Sequence, residues 1–132
     1  MYGSLFWIEW LDRLDRVLTS IRMDLTTLSS THSARSLAAM QRSTRQLSAL
    51  THDLELLDPS VIKAGGNAAD VDQAGGLKKA LETTLHHLGD LTDGKDADDS
   101  ESSRQKIAAV AEALRDSRYE AAMLLEPRRR RA

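Results

Sequence analysis

Leu11, Leu14, Leu18, Ile21, Leu25 and Leu28 fall at alternating spacings of three and four residues, the repeat that holds apolar side chains along one stripe of a helix. Trp7 extends the stripe one step toward the N-terminus. The intervening surface is polar, with Glu9–Arg13 and Asp12–Arg16 at i,i+4 in the acid-first order that favours pairing. Continued in phase, the stripe would next fall on His32, Arg35 and Ala39. The chain instead offers Leu37, Met40, Leu47, Leu50, Leu54 and Leu57. This break in phase predicts a tight turn within Ser29–Ser33, with Ser33 capping a second helix.

Pro59 disfavours helical geometry at Asp58, so the second helix is expected to stop near Leu57, with Asp58-Pro59 able to open one short turn. Residues 64–76, AGGNAADVDQAGG, carry paired glycines at both ends and little to bury, and read as a loop. Leu77, Leu81, Leu85, Leu88 and Leu91 form a third stripe. Between Asp90 and Glu101, six acids stand against Lys95 alone, which predicts a solvated connection with Gly94 ending the helix before it. Ser102-x-x-Gln105 matches a capping box for a last helix lined by Ile107, Val110, Ala111, Leu114, Ala121, Leu124 and Leu125.

The pattern therefore predicts an all-α chain, an antiparallel four-helix bundle, with three helices (one long and N-terminal) as the alternative. One domain is expected over 1–127, with flexible loops near 64–76 and 92–101 and a disordered basic tail over 128–132. Length and composition agree with this reading. A chain of 132 residues suits one domain, and 41% hydrophobic residues supply a core. The absence of Cys removes disulfides, Cys-based zinc sites and thiol chemistry. Met1 to Trp10 lacks the basic start of a signal peptide, and no run approaches the roughly 20 apolar residues of a transmembrane helix. The expected location is cytoplasmic.

Aromatic placement is the least ordinary feature. Tyr2, Phe6, Trp7 and Trp10 leave Tyr119 as the only aromatic ring of Phe, Tyr or Trp beyond residue ten. A helix end that is apolar on several faces has to be covered, either by the other helices or by a partner. Leu5, Phe6, Trp7 and Trp10 are thus the candidate interface for a protein partner or a second copy, with a membrane surface a weaker third choice because basic residues nearby are sparse. Arg35 and Arg42 lie one heptad apart and Arg45 one turn further on, with no acid between Ser33 and Thr51. They form a candidate docking stripe for an acidic partner or for phosphates. The balance of 18 basic against 20 acidic residues, four of the basic ones in Arg128–Arg131, argues against nucleic acid.

No cofactor, metal site or catalytic group is expected. Glu82 and His86 are spaced i,i+4 and no second copy of that pair exists, whereas a di-iron bundle needs inward Glu and His on several helices. A zinc site from His52, His86 and a carboxylate has no support in the spacing. Neither double glycine is followed by the Lys-Ser/Thr of a phosphate loop. Thr51-His52-Asp53-Leu54 resembles the phosphoacceptor segment of sensor kinases, although Glu55-Leu56-Leu57 follows where that family has a basic residue and a Thr-Pro pair. Arg45-x6-His52 is similar to the signature of some helical ribonuclease domains. The two resemblances imply, as the alternative function, a histidine-dependent phosphotransfer or nuclease protein centred on His52. The main expectation is a non-enzymatic bundle that works through contacts, as an adaptor, chaperone-like protein, inhibitor or assembly subunit.

Overall fold

The computed structural model describes the backbone over residues 2–31, 33–56, 68–92 and 100–131, and side chains over 7–31, 33–56, 71–92 and 101–125. Within these residues the chain forms four helices and no strand: α1 (Tyr2–Ser30), α2 (Ala34–Leu56), α3 (Ala68–Thr92) and α4 (Ser100–Arg131).

The stripe on α1 is buried from Trp7 through Leu28, including every leucine and isoleucine the spacing selects. Of the two acid-first pairs, Asp12 accepts from Arg16 at 2.9 Å, while Glu9–Arg13 does not form. The turn falls where the phase breaks. Ser33 Oγ accepts from the Ser36 amide at 3.1 Å and Ser36 Oγ accepts from the Ser33 amide at 3.0 Å. This is a capping box with Ser in place of the usual Glu, and it satisfies two amides that a helix start leaves bare. The Leu37 amide then bonds the Ser33 carbonyl to begin α2. One face of α2 buries Met40, Leu47, Leu50 and Leu54 together with Ser36, Ser43 and Thr51. The hydroxyls are satisfied locally or across the interface: Thr51 donates to the Leu47 carbonyl, and Ser43 donates to Asp24 of α1 at 2.6 Å.

Three expected boundaries are corrected. The predicted loop over 64–76 is helical from Ala68 onward. Val71 and Ala74 continue the Leu77–Leu91 stripe backward at three-residue steps, and Ala74 is buried while Val71 packs against the core. Their burial outweighs the helix cost of Gly75 and Gly76, each about 1 kcal/mol. Likewise α4 begins at Ser100, so Ser102-x-x-Gln105 lies inside the helix and does not cap it. At the other end α4 runs on to Arg131 in place of a disordered tail. Pro127 takes from the helix the amide that would bond the Met123 carbonyl, a proline inside a helix costing about 3 kcal/mol, and the arginines after it are good helix formers. The Asp58-Pro59 turn, Gly94 and residues 64–67 of the predicted loop lie outside the described residues.

Partner indices run in opposite directions across each of two interfaces. Trp10 meets Leu50 while Asp24 meets Ser43, and Gln73 meets Glu120 while Asp90 meets Lys106. Each hairpin is therefore antiparallel. α1 packs on α2 and α4, and α3 packs on α2 and α4, with no diagonal pair in contact among the described residues. The result is a square up-down-up-down bundle around one apolar core from all four helices. Burying each Leu, Ile or Val side chain there contributes about 1.5–3 kcal/mol. One polar pair crosses the interior. Thr84 Oγ1 gives its proton to the Ala80 carbonyl, so Ser117 Oγ donates to Thr84 Oγ1 at 2.8 Å, both residues being fully buried between α3 and α4.

Candidate functional site

At the aromatic end of α1, Trp7 and Trp10 belong to the core. Trp7 and Trp10 are 0% and 2% exposed and stack with centroids 5.4 Å apart and planes 7° from parallel. Trp10 Nε1 donates to the Leu50 carbonyl at 3.1 Å, whereas the buried Trp7 Nε1 has no hydrogen-bond partner. Both indoles therefore leave the candidate interface, because the bundle itself covers them. The Leu5 and Phe6 side chains lie outside the described residues. Ile8, on the next position of the same helix, is exposed.

Arg35, Arg42 and Arg45 stand on α2 as the spacing predicts, all exposed and none paired with an acid among the described residues. His52 is also exposed, one heptad beyond Arg45 on the same outer face, with Nδ1 at 3.9 Å from Glu55. His86 lies 3.6 Å from Asp90 and contacts His87 edge-on. His52 and His86 do not converge on a carboxylate. Among the described residues no group of three His, Asp or Glu side chains is placed to hold a metal ion.

Two surface grooves follow the interfaces that α4 makes. Between α3 and α4, a groove of about 270 Å³ is lined by Lys79, Ala80, Thr83, Ala113, Asp116, Tyr119 and Glu120. Tyr119 at its edge is 64% exposed, and Met123, one turn on, is 49% exposed. Beside the groove, Gln73 Nε2 donates to Glu120 Oε2. Between α1 and α4, a groove of about 350 Å³ is lined by Arg22, Leu25, Thr26, Ala111, Leu114, Arg115 and Arg118. Its arginines are exposed and unpaired among the described residues. Sequence reasoning missed both grooves. Tyr119 was legible only as a lone aromatic, and Arg22 is far along the chain from Arg115 and Arg118. The available signal was that Arg22 adjoins the buried Ile21 and that Arg115 and Arg118 flank the buried Leu114.

Fold and surface define an all-α four-helix bundle around one apolar core, with its charged side chains among the described residues outside that core. No helix among the described residues is long and apolar enough to cross a membrane. No family model, curated protein or solved structure matches the chain.

Proposed function

We propose that the chain is a binding scaffold without chemistry of its own, acting through protein–protein contacts as an adaptor, chaperone-like protein, inhibitor or assembly subunit. The observation that supports this most directly is the Tyr119–Met123 pair. Two large apolar side chains sit one turn apart on the outward face of α4, next to the α3–α4 groove and its Lys79, Asp116 and Glu120. Tyrosine and methionine are typical anchors of protein interfaces, and charged groups around them suit a polar rim. Nothing in the fold requires apolar side chains at these two outward positions, since α4 supplies the core through Val110, Leu114, Ala121, Leu124 and Leu125.

This reading moves the interface from the N-terminal aromatic end to α4. The test compares the parent chain with Tyr119→Glu/Met123→Glu, by light scattering over a concentration series and by affinity retention from its source cells. A copy or a defined protein held by the parent and released by the variant, with the thermal melt unchanged, supports the assignment. Identical behaviour of the two chains removes it.

The second reading is histidine-dependent chemistry on α2. It is favoured by the shared outer face of Arg45 and His52 and by the carboxylate of Glu55 near His52. Phosphoryl transfer or RNA cleavage by the parent, lost in His52→Ala, would establish it. Background activity in the parent would dismiss it.

A further inference from the structure

We propose that the groove between α1 and α4 binds a small phosphorylated molecule with an apolar body, its phosphoryl group held by Arg22, Arg115 and Arg118. The three guanidiniums come from two helices and line one opening. Arg115 and Arg118 are three residues apart and so project from one side of α4. Arg22 faces them from α1. None has a carboxylate partner among the described residues, in contrast with Arg16 on the same α1, which Asp12 engages.

Guanidinium groups carry donors and no acceptor, so every charged group lining the groove is a positive donor. The one hydroxyl among the lining residues, Thr26 Oγ1, spends its proton on the Arg22 carbonyl at 3.0 Å and so adds no donor for an anion, which leaves the arginines to supply them. Three like charges around one opening repel one another until an anion enters. A phosphate monoester brings close to two negative charges and three terminal oxygens, which matches three forked donors better than a single carboxylate does. Arginine is the residue suited to this geometry.

The floor sets the rest of the ligand. Leu25, Leu114 and Ala111 lie below the arginines, so the groove pairs a cationic rim with an apolar base. Its volume of about 350 Å³ lies at the lower end of small-molecule sites. No aromatic side chain among the described residues lines it, so these residues offer no stacking platform of the kind single-stranded nucleic acid uses. The inference is independent of the α3–α4 face proposed above, and either can fail alone.

The experiment titrates the isotopically labelled full chain with phenyl phosphate, inorganic phosphate and phenol, reading amide shifts by NMR. Saturable shifts are expected around Thr26, Ala111 and Leu114 with phenyl phosphate, weaker binding with inorganic phosphate, and none with phenol. Arg115→Gln and Arg118→Gln should each weaken phenyl phosphate by about tenfold or more, as loss of a charge-assisted hydrogen bond does. Arg42→Gln, on α2, should leave it unchanged. Absence of saturation, shifts centred elsewhere, or equal affinity in the folded Arg115→Gln/Arg118→Gln chain overturns the proposal. So does binding of phosphatidylserine vesicles or single-stranded DNA through these arginines without saturation by phenyl phosphate.

Discussion

Replacing Trp7 and Trp10 by Phe, one at a time, separates two effects that share a single stack. Both indoles are buried, and both variants lose the same atoms, so the transfer and cavity terms of a few kcal/mol enter each alike. The hydrogen bonds differ. Trp10→Phe breaks the 3.1 Å bond to the Leu50 carbonyl, which costs about 1 kcal/mol net because that carbonyl keeps its helical bond within α2. Trp7→Phe instead deletes a buried donor that has no partner, relieving a desolvation penalty of about 1–3 kcal/mol. Trp7→Phe should therefore be the more stable variant by about 2 kcal/mol or more. For a chain of this size that separates the two melting temperatures by about 7 °C. Urea unfolding followed by far-UV circular dichroism, with calorimetry alongside, reads the difference. In the same samples the remaining tryptophan should emit in the blue at all protein concentrations, since each ring is covered within one chain. Equal midpoints, or Trp7→Phe melting first, would refute the assignment of the two indole nitrogens.

The other predictions concern helix ends, glycines and the buried hydroxyls. Ser33→Ala removes the acceptor for the Ser36 amide and should cost about 1 kcal/mol in the urea midpoint. Gly75→Ala and Gly89→Ala place a methyl group in open space on α3 and should each raise stability by about 0.5–1 kcal/mol. Gly76→Ala should gain less, because its methyl would meet Glu120 Oε2 at 3.2 Å, the oxygen that Gln73 engages. Thr84→Val leaves the fully buried Ser117 hydroxyl without its partner and should cost about 1–3 kcal/mol. Adding Ser117→Ala to it should recover most of that loss, and strictly additive losses in the double variant would refute the pairing.

Periodicity carried the fold as far as apolar stripes were uninterrupted. The α1 stripe, the change of phase before Ser33 and the α2 stripe were readable because leucine spacing alone decides them. The start of α3 was hidden by composition. Gly75-Gly76 signals a turn locally, and only the burial of Ala74 against the other helices turns that segment into helix. Ser36, Ser43 and Thr51 read as polar positions, yet each is buried because a hydrogen bond satisfies its hydroxyl. The candidate sites were harder for the same reason. The fate of Trp7 and Trp10 depended on what covers them, and the Arg22–Arg115–Arg118 cluster exists only through the packing of α1 on α4. The linear stripe Arg35, Arg42, Arg45 was legible because it lies on one helix.

Of the four contacting helix pairs, α1–α4 alone joins helices that are not consecutive in the chain. The bundle is thus a ring with a clasp. Parting α1 from α4 breaks no tether and opens the ring into a row of three hairpin-linked joins, whereas any other join is held by its connection. Two opened copies can close on each other, α1 of one against α4 of the other, with the same side chains meeting as in the monomer. Arm exchange of this kind needs no new interface, and its rate is set by how firmly the clasp is held. A ligand seated across Arg22, Arg115 and Arg118 would bridge both sides of that clasp and slow the exchange.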